Sequence, residues 1–397
     1  MGRPRSRVLL VPSLVAALFS AACIIHVSDD GHAGLSFFGE GSGLSEQARR
    51  EESHELHLAA GQKLTLQGSW GDVRVYANDS DTPELRATLD ARGRSHEEAQ
   101  AVLDRYHVEI TETSDGVSAR IVGEPLEVVD GSSHMNLAAG ADFVVTIPER
   151  AALDVTVGAG DIETRGTLGD ARLDTGVGDV YVEESRSDLA VETGAGDVTV
   201  ARFDGQSLSL RTGVGDIRLD DARADTAECF SGAGDIEVWS VHAERASMTT
   251  GSGDIDARGA VGNVVAHSSS GDVHVAGVEG TLDASSGSGS VDAHGVLYGL
   301  TARSSSGDVT VHADAGSRVD SEWLLDSGSG DVLLRVPEGF DCRVHARTGS
   351  GEVECDLPVV VEAGQRKNDT HLLGQIGSGG GQVRLSSGSG DVALRRR

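Results

Sequence analysis

Lysine is nearly missing: Lys63 and Lys367 are the only two in 397 residues. The formal net charge is −30, with a sequence pI near 4.7. This balance excludes nucleic acid as a partner, because neutralising phosphates takes a basic face. It also excludes a phosphate-binding loop, since no Gly-Lys-Ser/Thr follows any Gly-rich turn. Aromatic residues make up only 4%, too few for a thick globular core. Abundant Gly, Val, Leu and Ile fit thin β layers instead. The four cysteines, Cys23, Cys229, Cys342 and Cys355, form neither a disulfide-scaffold pattern nor a CxxC pair. The fourteen histidines scatter without an HExxH, so neither a metal nor any other cofactor is expected. His242, His267, His274, His294 and His312 read as solvated surface residues. No Ser nucleophile elbow has partners for a triad, so no catalytic residue is assigned.

What the chain has in abundance is one phrase. "TGAGDVTVAR", "TGVGDIRLDD" and "TGSGDIDARG" recur with an acidic residue directly after a Gly. The turn pairs Gly160-Asp161, Gly178-Asp179, Gly196-Asp197, Gly215-Asp216, Gly234-Asp235 and Gly253-Asp254 open the series. Asp272, Ser290, Asp308, Asp331, Glu352 and Asp391 continue it, and Asp72 is an early outlier. One and three residues after each anchor the chain is small or apolar. Six and eight before it, the chain is apolar again, as in Leu208 and Leu210 before Asp216. Alternation with period two on both sides of a tight turn gives two short strands per repeat. A unit this short buries nothing alone but does so when stacked. The expected fold is therefore all-β, a parallel β-solenoid of 18–19-residue coils. Roughly twelve coils at the β spacing would extend about 55–60 Å. Position four before the anchor is nearly always Ser or Thr, expected to bond along the stack. The Asp is expected to cap N–H groups of its turn. Cys229 and Cys355 fall at inward positions as small hydrophobes. Cys342 and Cys355 stay open as a disulfide pair, should they lie on adjacent strands in an oxidising compartment.

The flanks differ from the repeats. Residues 1–23 read as a secretory leader: basic "MGRPRSR", apolar "VLLVPSLVAALF", then "SAAC". The ending resembles a bacterial lipobox with Cys23 as the lipidated residue, although Ser20 stands where that motif has Leu. Ordinary cleavage near Ala22 is the competing reading. Residues 24–50 are expected to be a polar tether. Residues 51–150 are expected to form a strand-rich cap with one helix at 95–105. There Ser95 and Glu98 make a capping box, and Ala99, Val102, Leu103 and Tyr106 make one apolar face. Residues 151–357 hold the repeats, and 358–397 an insertion followed by the final coil.

The "TGSGDV"-type repeats, the lead-in "FVVTIPERAALDVTVGAGDIETRG" and the Gly-rich close "IGSGGGQVRLSSGSGDVAL" resemble the DUF4097 family of bacterial β-strand-repeat proteins, also labelled adhesins. The resemblance covers about residues 54–394 and implies a β-solenoid on the cell envelope, with no catalytic residues to carry over. The expected function is a non-enzymatic envelope protein, an adhesin or a surface or scaffold lipoprotein. Its partner is an unknown surface or envelope ligand, and its contact with the membrane is a lipid anchor. Its place is the outer membrane, or the exterior if secreted. Two alternatives compete. One is a calcium-binding β-roll, whose GGxGxDxUx half-coils are nine residues long, although here the Gly-Asp turn comes once per coil. The other is a polysaccharide-acting β-helix enzyme, with a site near 312–345 where the period breaks.

Overall fold

Inward side chains alternate along every repeat strand, and this alternation builds the fold. Leu189, Val191, Leu208, Leu210, Ile217, Leu219, Val309 and Val311 are all at most 2% exposed. Two such rows facing each other bury a narrow core, which Val and Leu fill without aromatic bulk. The computed structural model describes residues 23–27, 33–37, 44–79, 82–130, 133–361 and 369–397. It is 68% strand, with one helix among the described residues, and its β-solenoid has about 10 turns at ~19-residue spacing. Strands before the Gly-Asp turn pair in parallel with their counterparts in the next coil, as Leu189↔Leu208. Strands after the turn do likewise, as Val198↔Ile217.

The chain divides into two compact units. The smaller contains the described residues among 23–50, 90–106 and 123–139. Its helix runs His96–Leu103, two residues shorter at its C-terminal end than the sequence suggests. Ser95 caps it by accepting the N–H of Glu98. The Glu98 carboxylate reaches back to the N–H of Arg94 rather than of Ser95 (2.6 Å). Ala99, Val102, Leu103 and Tyr106 are buried as expected. Within this unit the Asp90 carboxylate accepts from Gln47 (2.5 Å) and Arg49 (3.0 Å). The leader residues 1–22 lie outside the described residues. The stretch expected as a tether contains the antiparallel pair Cys23–Val27 and Ala33–Phe37, and a further strand starts at Glu46. No helix among the described residues is long and apolar enough to cross a membrane.

The larger unit, made of the described residues among 51–89, 107–122 and 140–397, holds the solenoid. Its coils begin well before residue 151. Lys63–Trp70 pairs with Ala152–Ala159, and Val73–Asn78 pairs with Ile162–Thr167, so the Asp72 outlier is a full coil. On its other side, Gly116–Arg120 pairs with Lys63–Gln67, and Phe143–Pro148 pairs with Val73–Asn78. At the C-terminal end the coils stack out of chain order. Val383–Ser387 pairs with Trp323–Ser327 on one side and with Val344–Thr348 on the other. Val392–Arg396 likewise sits between Val332–Val336 and Val353–Cys355. The last coil in sequence is therefore inserted before the coil that precedes it. His371–Ile376 then covers Cys342–Arg347 in antiparallel fashion, and Val359–Val361 pairs beyond it.

Asp341 marks the crossing of these segments. Its carboxylate accepts the N–H (3.0 Å) and O–H (2.7 Å) of Ser378. These bonds hold the carboxyl below its ordinary range, the hydroxyl bond first. A depressed folded pKa contributes stability above the unfolded value that disappears as pH falls through the folded one. Asp341→Asn should therefore lower the denaturation midpoint at pH 6, and the difference from the parent should shrink as pH is lowered from there through the acid range in which the folded carboxylate takes up its proton. Urea melts of both proteins over a series of pH values check this.

A few core positions near the start of the stack depart from the pattern, Thr164 among them. Thr164 stands where later coils have Val182, Val200 and Leu219. It is fully buried, and its hydroxyl has no hydrogen-bond partner. Its neighbours in register are Val75 and Val182. Thr164→Val keeps the shape and removes an unsatisfied buried group, so it should stabilise by about 1–2 kcal/mol. A chemical melt that shows no gain would mean that the hydroxyl has a partner in solution.

Candidate functional site

The Gly-Asp turns align into one edge of the solenoid, and this edge is the best-defined polar feature of the surface. In each coil the acidic side chain accepts the backbone N–H of the anchor in the next coil. Asp161 accepts from Asp179 (2.9 Å), Asp179 from Asp197 (2.8 Å), Asp197 from Asp216 (2.8 Å) and Asp216 from Asp235 (2.7 Å). Asp235 accepts from Asp254 (2.8 Å) and Asp254 from Asp272 (2.7 Å). The ladder starts earlier than the repeats suggest, since Asp142 accepts from Asp72 (2.9 Å) and Asp72 from Asp161 (3.2 Å). It ends through Asp331 to Asp391 (2.7 Å) and Asp391 to Glu352 (2.8 Å), following the spatial order of the coils. Ser290 supplies a neutral hydroxyl in the same role, at 3.3 Å from the N–H of Asp308. The expected capping is thus between coils rather than within a turn.

The Ser/Thr row lies just inside this edge and is buried, Thr175 at 1% and Ser231 at 0%. Its hydroxyls do not bond one another. Each donates to the carbonyl of the glycine before the anchor in the adjoining coil, as Thr193 to Gly178 (2.9 Å) and Thr212 to Gly196 (2.8 Å). The glycines have little room: a Cβ at Gly215 would stand 2.1 Å from the Gly196 oxygen, and one at Gly289 2.2 Å from the Gly271 oxygen.

Two versions of the turn divide the edge. From Gly160 to Gly234 the glycine before the anchor has φ between 144° and 150°. In this half the N–H of that glycine points to the next coil, as Gly178 to the Ala195 carbonyl (2.9 Å). The preceding residues there are Ala159, Val177, Ala195, Val214 and Ala233. From Ser252 onward that position is Ser, and by Gly271 the glycine N–H turns inward to its own coil's hydroxyl, as Gly271 to Ser268 (2.8 Å). Val177 and Val214, 53% and 39% exposed, are the large apolar groups on the first half of this edge.

Five residues past the anchor, a second corner requires the left-handed backbone region. Glu184, Arg202, Asp221 and Ser240 occupy it with φ of 53–61°, while Gly166 fills the same place in the Asp161 coil and Gly259 and Gly277 in later ones. A non-glycine residue there is strained by about 1–2 kcal/mol, partly offset by the entropy glycine adds to the unfolded chain. Ser240→Gly should therefore stabilise by about 0.5–1 kcal/mol, read as a shift in denaturation midpoint.

The outward faces carry Arg–aromatic stacks between adjoining coils: Arg165 with Tyr181, Arg211 with Phe230, and Arg218 with Trp239 at 4.3 Å. Arg218 also pairs with Glu237 (3.0 Å), and Arg202 with Glu183 (2.6 Å). A groove of about 360 Å³ lies over Lys63, Asp154, Asp170, Arg172 and Asp188. A smaller one of about 180 Å³ lies beside Asp72, Asp161 and Asp179. No group of three or more His, Cys, Asp or Glu among the described residues is disposed to hold a metal ion. His267 and His274 lie 3.7 Å from Asp283 and Asp292, and His294 3.0 Å from Asp314. Burial pushes the thiols of Cys229 and Cys342 up to about 12. Cys342 and Cys355 are not joined by a disulfide. Cys23 begins the strand Cys23–Val27.

Among crystal structures the chain is similar to a "putative cell adhesion protein" from Clostridium sporogenes, at 9% identity over 89% of this chain and 100% of that one, with a TM-score of 0.23. It is similar to a "putative adhesin" from Bacteroides fragilis, at 10% identity over 89% and 98%, with a TM-score of 0.28. It is similar to a "putative lipid binding protein" from Parabacteroides distasonis, at 13% identity over 86% and 96%, with a TM-score of 0.25. TM-scores this low do not amount to a shared overall fold. No curated protein matches the chain. The family model does match, over residues 61–318 and again over 260–395. These spans take in the coils from Asp72 to Asp391, and the chain belongs to the Toastrack DUF4097 family.

Proposed function

We propose that this protein is a non-enzymatic repeat protein of the bacterial cell envelope, acting as an adhesive or scaffolding surface and anchored through a lipid on Cys23. The observation that carries the reading is the equivalence of the rungs. Each coil from Asp161 to Asp272 presents the same acidic group with the same bond to its neighbour. A catalytic site sets one or two groups apart from their surroundings, whereas this edge repeats one group at strand spacing, suited to an extended ligand that is bound many times weakly. The leader ending in "SAAC" supports export and lipidation.

Protease shaving of intact cells tests the location, using an antibody to the solenoid and a periplasmic control. Cleavage while the control survives supports a surface role. Protection until the outer membrane is opened removes adhesion and leaves scaffolding within the envelope. Mass spectrometry of the mature N-terminus, compared with Cys23→Ser, tests the anchor; an unmodified Cys23 would overturn it.

A further inference from the structure

We infer that the solenoid is interlocked at its ends, the coil nearest each end of the repeat array in sequence being clamped between two others so that it cannot peel away first. In a solenoid stacked in chain order, the terminal coil has one neighbour and frays before the rest. Here the C-terminal coil has two. Val392–Arg396 is paired with Val332–Val336 and also with Val353–Cys355. The side-chain ladder agrees, with Asp391 donating its N–H to Asp331 and accepting that of Glu352.

The outer coil, Cys342–Cys355, depends on the inserted one. It is reached by Pro337–Asp341, which carries the chain past the slot before the slot is filled. Phe340 on that connection packs on Trp323 (ring centroids 5.3 Å apart). The segment that returns to fill the slot is tied to the connection where Ser378 meets Asp341. It is tied to the outer coil by Arg395 to Glu354 (2.9 Å) and by the Arg396 N–H to Asp356 (2.8 Å). The opposite end repeats the device, because the Asp72 coil lies between the Asp161 coil and the strands Gly116–Arg120 and Phe143–Pro148. At both ends the outermost coil comes from inside the sequence. The inserted coil therefore cannot open unless the outer coil opens with it or before it.

Hydrogen exchange on the full chain, resolved by mass spectrometry, decides this. Amides of Val383–Ser387 and Val392–Arg396 should exchange within about tenfold of those of Val309–Ala313, two coils further in. If they exchange first while Cys342–Thr348 stays protected, the interlock is wrong. Gly390→Ala gives the second reading, since its Cβ would stand 2.3 Å from the Gly330 oxygen. It should speed exchange in both Val383–Ser387 and Cys342–Thr348 by about 100-fold or more, leaving Val309–Ala313 unchanged. Loss of protection in the inserted coil alone would overturn the proposal. If the variant does not fold, the parent protein's exchange order still decides.

Discussion

Gly215→Ala is expected to destabilise the solenoid by about 3–5 kcal/mol, far more than its size suggests. Two separate penalties meet at this glycine. Its φ is 144°, a region that an L side chain rarely adopts. The added methyl would also lie 2.1 Å from the Gly196 oxygen, a backbone atom that cannot rotate aside. Relief would mean moving the rung itself, which carries the Asp197–Asp216 bond and the Thr212–Gly196 bond. Gly61→Ala separates the two penalties, because Gly61 has φ 85° but nothing within 4 Å of a Cβ. That control should lose only about 1–2 kcal/mol. Denaturant melts of both variants check the difference. Equal losses would show that backbone conformation, and not the close approach of neighbouring coils, makes the glycine obligatory.

The same contrast shows what the sequence reveals and what it conceals. Period-two alternation identifies the inward residues well: Leu64 and Leu66 before Asp72 are buried as fully as Leu208 and Leu210 before Asp216. Any residue stacked in parallel register is read identically in every coil, so a strong pattern survives even in an isolated copy. That same identity hides the order of stacking. "SSGSGDVAL" could rest on any other coil with equal register, and only the chain connections decide that it enters between the Asp331 and Glu352 coils. The left-handed corner is hidden for another reason. Gly166, Gly259 and Gly277 mark it in three coils, but Glu184, Arg202, Asp221 and Ser240 give no compositional sign of a positive φ. The hydroxyl row was visible as a row, yet its partner is a glycine carbonyl in the adjoining coil, which side-chain spacing alone does not select. For the Asp edge, the sequence supplies the spacing, whereas the direction of each bond is set by the stacking of one coil's backbone on the next.

Trp323→Ala is the other large effect, an expected loss of about 3–5 kcal/mol. Trp323 is the largest fully buried side chain in the protein. It stands in a row otherwise made of smaller residues, between Leu300 and Val383 in register. The indole fills the core where the period lengthens, and Phe340 leans on it from the connection to the outer coil. Truncation leaves a cavity that the flanking ladders cannot close, because parallel hydrogen bonds fix their spacing. The indole N–H is buried without a partner, so Trp323→Phe removes an unsatisfied donor along with some volume and should recover most of the loss. The Ala variant should also unfold with a resolved early phase at the C-terminal coils, since a repeat array divides its cooperativity when one interface weakens. Calorimetry of the Ala and Phe variants measures both effects. If alanine cost less than about 1 kcal/mol, the inserted coil would have to be held by its hydrogen bonds alone, with the tryptophan contributing nothing to the end of the stack.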